Sequence, residues 1–332
     1  MKTPFTYRLV RLNHFAPEQM GMAVSHGVFD YFLLEGAAHE FLHEHRDYGG
    51  LVLDDMRFSF GEWVRGQFRA DRLCIGFFRE LESPCWINGF AVTTSDLQIY
   101  AESADLACRI YPHSRCALVQ ISRSVLEMAA KRHLGHALWL PAHGMVNLYP
   151  GEEARRDVGE AFDLCGSLLE KGGQLADQGI EILLQTLVRA IRGACVSRPK
   201  QDDRRSQQAL QMVKLAELYL AAHLSESYSS DEFARAVGLS ERSLELQFKK
   251  IFGMSPKKWR QYMGLNIAHR KLGRGTERAG MVAEVAAACG FAHPGRFSAV
   301  YRDLFGELPV RTRQHERRAI DQQESIFRSL VY

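Results

Sequence analysis

Three groups of side chains in this 332-residue sequence are of types that do chemistry. The first is basic. Arg242, Lys249 and Lys250 fall in one short segment and Arg296 and Arg302 in another, and such cations pair with phosphate or with the edges of bases. The second is His39, His43 and His45 in AHEFLHEH. On a helix His39 and His43 would share a face and could hold a metal. The plainer reading is a solvated or capping cluster, because no Glu and His follow at the spacing of a cupin metal site. No metal and no cofactor are expected. The third is aromatic: Trp63, Phe78, Trp86, Phe90 and Tyr100 are candidate linings of an apolar cavity, with plain core aromatics as the simpler alternative. No phosphate loop, G-x-S-x-G, H-E-x-x-H or dinucleotide fingerprint occurs. The sequence therefore carries no catalytic constellation, and an enzyme is not expected.

Composition bounds what must position these groups. The length suits two or three domains, and 46% apolar residues supply ample core. Charge is uneven. Residues 205–318 hold 19 Lys and Arg against 11 Asp and Glu, a net of +8, while residues 1–204 hold 22 against 26, a net of −4. A basic third on a mildly acidic body suggests a polyanionic partner for that third. The seven cysteines are dispersed without C-x-x-C spacing, which argues against a disulfide framework or structural zinc. With no apolar leader and no bilayer-length apolar run, the expectation is a cytoplasmic protein without membrane contact.

The expected fold is α+β. Short apolar segments at Leu51–Phe60, Glu62–Phe68, Leu73–Phe78, Leu97–Tyr100 and Ala117–Ile121 are separated in part by turn sequences at Glu82-Ser83-Pro84 and Ile87-Asn88-Gly89. That spacing predicts a β-rich sandwich or barrel within residues 1–122. Helices then take over through residue 195, at Ser124–Leu134, Glu152–Glu170 and Leu175–Cys195. In the last, Ile180, Leu183, Leu184, Leu187, Val188 and Ile191 form one apolar stripe, to be buried on the β-rich part or, alternatively, on a second subunit. Residues 196–206, VSRPKQDDRRS, read as a linker. Helices continue at Gln208–Leu224, Ser230–Val237, Glu241–Phe252, Pro256–Leu272, Met281–Cys289 and Pro294–Phe305.

Two of these helix pairs repeat each other. DEFARAVGLSERSLELQFKKIFGMSP aligns with AEVAAACGFAHPGRFSAVYRDLFGELP. Ala234 and Gly238 match Ala286 and Gly290 at an offset of 52; Leu244, Phe248, Phe252, Gly253 and Pro256 match Phe297, Tyr301, Phe305, Gly306 and Pro309 at 53. The small alanine lets two helices approach closely. The glycine suits a left-handed residue where the chain leaves a helix. Ser240 suits an N-cap. The apolar stripe of each second helix faces the first and leaves its other face free. This is the pattern of a helix-turn-helix, whose second helix enters a major groove.

Residues 207–318 resemble the DNA-binding region of the AraC/XylS family of transcription regulators. The resemblance rests on Ala234, Gly238-Leu239-Ser240, Leu244, Phe248-Lys249-Lys250, Phe252-Gly253, Ser255-Pro256, Ala268, Ala286, Gly290-Phe291, Phe297 and Phe305-Gly306, and covers about a third of the chain. It implies an all-α domain with two recognition helices in successive major grooves, roughly 34 Å apart, on an asymmetric site in double-stranded DNA. Carried over, the groove-facing residues are Arg242, Ser243, Glu245 and Leu246 in the first helix and His293, Gly295, Arg296 and Ala299 in the second. Lys249, Lys250 and Arg302 would touch phosphates. Three features depart from the family's pattern. Leu246 and Ala299 stand where basic residues are common. Glu245 would repel phosphate unless it accepts from a cytosine amine. Gly264 replaces a usual Arg in the long helix, where glycine costs about 1 kcal/mol relative to alanine.

The resemblance further implies that residues 1–195 sense a small-molecule effector and dimerise, and that the chain is an activator that contacts RNA polymerase. Two alternatives stay open: an enzyme or metalloprotein with an appended DNA-binding module, and a ligand-independent architectural DNA binder.

Overall fold

A computed structural model describes residues 5–24, 27–36, 38–197, 203–274 and 280–312. The chain forms two units, residues 1–31 with 39–208, and residues 32–38 with 209–332.

The first unit starts with β1 (Phe5–Leu12), α1 (Pro17–Ala23), β2 (Gly27–Glu35, whose residues 32–35 count with the second unit), β3 (Phe41–Tyr48), β4 (Leu51–Phe58), β5 (Gly61–Phe68) and β6 (Leu73–Glu80). It continues through β7 (Cys85–Ile87), β8 (Phe90–Val92), β9 (Leu97–Tyr100), β10 (Asp105–Ile110) and β11 (Ser114–Ile121). The expected sandwich is present: a seven-stranded sheet in the order β1-β3-β4-β11-β6-β9-β12 and a five-stranded sheet in the order β2-β5-β10-β7-β8. Between β7 and β8 the chain turns through Asn88 and Gly89, both at positive φ, as a two-residue hairpin requires. α2 (Arg123–Leu134), β12 (Met145–Leu148), α3 (Glu152–Leu169) and α4 (Gly173–Ser197) follow.

The helices cover one face of the larger sheet. Leu53, Ile75, Ile99, Ala117 and Val119 share a single core with Phe162, Leu183, Leu187 and Ile191. The apolar stripe of α4 is thus spent within its own unit: Leu183, Leu184, Leu187, Val188 and Ile191 are all buried there. Both faces of the sheet are covered, so its central strands β4, β6 and β11 are buried at nearly every position and lose the in-out alternation of a half-exposed sheet.

The structure corrects one early reading. AHEFLHEH does not form a helix. Phe41–Tyr48 is a strand with alternating burial, paired antiparallel with β1 on one side and β4 on the other. Strand alternation puts Phe41, His43 and His45 on the inner face of the sandwich. The histidines are buried, not solvated. The six described cysteines are buried and free.

The second unit contains α5 (Asp203–His223), α6 (Ser230–Ala236), α7 (Glu241–Phe252), α8 (Pro256–Arg274), α9 (Met281–Ala288) and α10 (Pro294–Phe305). Of the expected linker, residues 198–202 lie outside the described residues, as do residues 313–318 at the far end of the expected DNA-binding region. Residues 32–38 belong to this unit. Asn266, buried on α8, donates to the Leu33 carbonyl at 2.8 Å and accepts from the Leu33 N–H at 2.7 Å.

Candidate nucleic-acid interface

The two helix pairs share one turn geometry. α6 starts at Ser229, whose hydroxyl accepts from the Glu232 N–H. Past its end, Gly238 takes φ +72° and the Leu239 N–H returns to the Ala234 carbonyl at 2.9 Å. In the second pair Gly290 takes φ +84° and the Phe291 N–H returns to the Ala286 carbonyl at 3.0 Å. Each bond spans five residues and satisfies a carbonyl that a helix end would leave open. The 52-residue offset in sequence is therefore a repeat in hydrogen bonding.

Each second helix buries one stripe and exposes the other. α7 buries Leu244, Phe248, Ile251 and Phe252. Its stripe sits in an aromatic cluster, with Phe248 edge-on to Phe233 at 5.5 Å and to Trp259 at 5.2 Å. α10 buries Phe297, Tyr301, Leu304 and Phe305. Here Phe291 packs on Phe297 at 5.1 Å, and His269 of α8 lies 4.5 Å from Phe305. The Tyr301 hydroxyl is paired with Thr312 at 2.6 Å, which spares it the cost of burying an unmet polar group. α8 supplies aromatic partners to both clusters.

Apart from Ser243 and His293, the groove and phosphate candidates lie on the free stripes. Arg242, Glu245, Leu246, Lys249 and Lys250 are exposed on α7. Gly295, Arg296, Ala299 and Arg302 are exposed on α10, with His293 exposed at its N-cap. Leu246 is 61% exposed, an apolar side chain held in solvent with no fold-level use. Ser243 differs: it is half-buried, its N–H is capped by Ser240 and its hydroxyl accepts from the Ser240 hydroxyl at 2.9 Å. It serves the helix start first. Arg302 lies 3.7 Å from Asp303 with both side chains exposed, a pairing worth little in water.

Not every cation in the basic third is available to a partner. Arg260 turns inward and donates to the Leu224 carbonyl at 2.8 Å, and burial lowers its pKa. Lys257 and Lys258, exposed at the start of α8, were not among the residues picked out from the sequence. The Lys258 N–H is capped by the Ser255 hydroxyl, so a Ser-Pro helix start followed by paired lysines was the signal that could have found them.

Gly264 also reads differently in place. It is buried, and a Cβ there would lie 2.8 Å from the Cys289 carbonyl oxygen. The glycine is not merely a weak point in α8. It lets the backbone at the end of α9 touch α8, and an arginine would not fit.

The aromatics picked out in the first unit separate into two sets. Phe78 and Tyr100 line an interior cavity of about 60 Å³, together with Glu62. Trp63 and Trp86 do not line it. Glu62 and Val64 do, so alternation turns Trp63 the other way, where its ring lies 5.7 Å from that of Trp86. Phe90 is half-buried. Glu62 was missed. It is fully buried, neither carboxyl oxygen has a hydrogen-bond partner among the described residues, and burial pushes its pKa well above the usual carboxylate range. In sequence it looked like one ordinary charge in a strand.

The comparisons with known proteins fall on the second unit. A family model described as a helix-turn-helix domain matches residues 233–315. XylDLEGF operon transcriptional activator 2 of Pseudomonas putida is 34% identical over 113 residues, 34% of this chain and 72% of that protein. The probable thc operon regulatory protein of Rhodococcus erythropolis is 35% identical over 98 residues, 30% of this chain and 30% of that protein. The chain thus spans less than a third of the Rhodococcus relative's own length. Among solved structures, an AraC-type transcriptional regulator from Chromobacterium violaceum is 31% identical, covers 32% of this chain and 91% of that one, and has a TM-score of 0.29. A tandem helix-turn-helix with this sequence, and a Pseudomonas putida relative matched over 72% of its length, place the chain in the AraC/XylS family of transcription regulators.

Proposed function

We propose that this protein is a sequence-specific DNA-binding transcription regulator of the activator type, acting on double-stranded DNA in the cytoplasm. One observation carries the reading: the same turn is built twice, and each time it leaves a helix face free, with Arg242, Lys249 and Lys250 on one and Arg296 and Arg302 on the other. Arg242 and Arg296 read bases, Leu246 and Ala299 make apolar contacts such as those with thymine methyls, and Lys249, Lys250 and Arg302 hold phosphates. Ser243, Glu245, His293 and Gly295 complete the groove-facing set.

The first unit senses a small-molecule effector, and Phe78, Tyr100 and the buried carboxyl of Glu62 line the cavity that would widen to take it. Binding there shifts a population between states of the regulator. The protein works by binding, not by catalysis, and RNA polymerase is its partner at a promoter. Self-association, where it occurs, uses a surface other than the buried stripe of α4. Among the described residues no helix is long and apolar enough to cross a membrane.

The test is selection of genomic fragments by the full chain at physiological salt. Enrichment of a few sites, each with two short motifs about one helical turn apart, is the expected result. Uniform retention of all fragments would favour an architectural binder, and no retention with or without cell extract would sink the reading.

A further inference from the structure

The inner face of the larger sheet carries a polar cluster that DNA binding does not use. On β3, His43 and His45 alternate onto that face, and β4 brings Asp54 directly opposite His45. The His43 Nε2 lies 2.7 Å and the His45 Nδ1 2.8 Å from the same oxygen, Asp54 Oδ1. The other carboxylate oxygen accepts from the Gln120 amide at 2.8 Å. All three putting forward a donor atom are buried, His43 and Asp54 completely, and the three donor atoms lie within 4.8 Å of one another.

We propose that His43, His45 and Asp54 form a binding site for one divalent first-row transition ion of the zinc type. Two imidazoles and one carboxylate are the donor set such ions prefer. An ion about 2.0–2.2 Å from each donor needs only that the two rings swing back from the carboxylate by roughly half an ångström, with each ring proton on the nitrogen facing away. Gln120 holds Asp54 from behind, as the supporting partner of a metal-bound carboxylate does.

A second observation supports the site. A cavity of about 180 Å³ is walled by His45 and Gln120 themselves, together with Asp47, Arg8, Arg69 and Arg72. It gives an otherwise buried cluster a route of entry. Three guanidinium groups in its wall would repel a bare cation and favour one that arrives or stays with an anion, so a small anion drawn from this cavity suits the coordination positions that the three side chains leave open. Among the described residues no cysteine belongs to this group: the ligand atoms that lie within 4.8 Å of one another are those of His43, His45 and Asp54. The proposal does not depend on the DNA-binding reading.

The test uses the full chain, stripped with a chelator and then titrated with Zn(II) in a calorimeter. One equivalent should bind with a Kd below about 1 μM. Zinc K-edge absorption of the loaded protein should show two imidazoles and otherwise oxygen donors, with no sulfur. Asp54→Asn should weaken binding at least about 100-fold and Gln120→Leu about 10-fold, while His136→Ala, a change on the surface, should leave it unchanged. Absence of a stoichiometric site in the wild-type chain overturns the proposal, as does sulfur in the coordination shell. So does affinity that survives both Asp54→Asn and His45→Gln. Should a variant fail to fold by circular dichroism, the absorption spectrum of the wild-type protein decides alone.

Discussion

The two helix-turn-helix units are built to one plan and finished differently. In the first, Ser240 caps α7 through its side chain, the turn glycine has open space around it, and the free face carries Arg242, Glu245, Leu246, Lys249 and Lys250. In the second, His293 stands at the N-cap of α10 without a capping side-chain bond, Pro294 supplies the start instead, and the free face offers Gly295, Arg296, Ala299 and Arg302. The first invests in local helix stability and charge. The second has small residues, Gly295 and Ala299, on its free face, and its turn is packed hard against the rest of the unit. A repeat conserves what the scaffold needs and frees what the partner reads.

That contrast can be broken or sharpened by substitution. The largest difference is expected at the turn glycines. Both have positive φ, so alanine costs each about 1–2 kcal/mol of backbone strain. At Gly238 nothing lies within 4 Å of the new methyl, whereas at Gly290 it would sit 2.3 Å from the Leu224 carbonyl oxygen. Gly290→Ala should therefore cost more than about 4 kcal/mol. Hydrogen exchange across α9 and α10, compared with α6 and α7 in Gly238→Ala, measures both in the full chain. Equal losses would mean that the second turn is not packed as described.

Next come the readers. Arg242→Ala and Arg296→Ala should each cost about 1–3 kcal/mol of binding and relax one position of the target sequence. Competition binding against single-base variants of a selected site resolves this, and uniform weakening on all sequences would make both residues phosphate contacts. The caps should differ in sign. Ser240→Ala should destabilise α7 by about 1 kcal/mol, while His293→Asp, which adds the missing side-chain acceptor, should stabilise α10 by about 0.5–1 kcal/mol; exchange protection in the first turn of each helix reads both. The smallest effect is electrostatic. Lys250→Ala should weaken binding to every sequence and lower the salt slope by about one, and an unchanged slope would remove Lys250 from the interface.

How much of this was legible beforehand differs between the units for a physical reason. In the second unit helix period, glycine punctuation and a 53-residue repeat reinforce one another, and α7 and α10 run over the same residues as the sequence suggested. In the first unit the signal was split. A sheet covered on both faces loses its alternation, and the positions that do alternate include His43, His45 and Asp54, polar residues facing inward. H-x-H and a spacing of four look like a helix face until Phe41 and the register with β4 are known. β3 was hidden in this way, and β1, an edge strand exposed along most of its length, offered no buried alternation to read. Trp63 and Phe78 were equally plausible cavity walls by type, and only the direction of each strand residue separates them. Glu62 could not be told from a surface charge without the sheet on which it points inward.

Gly264 has a consequence for the kind of target a two-headed reader accepts. Where α8 meets the end of α9 the nearest neighbour is the Cys289 carbonyl oxygen, a main-chain atom that has no rotamer to re-select, with the side chains of Phe291 and Leu224 packed beside it. Such a joint behaves as a fixed gauge rather than a spring. Adding one base pair between two half-sites turns the second by about 34–36° around the duplex, and a gauge of this kind has no means of following it. On the proposed reading, in which both second helices enter grooves, the protein's tolerance for spacing is set in its main chain, and the DNA's own twist and bend must supply whatever the joint will not.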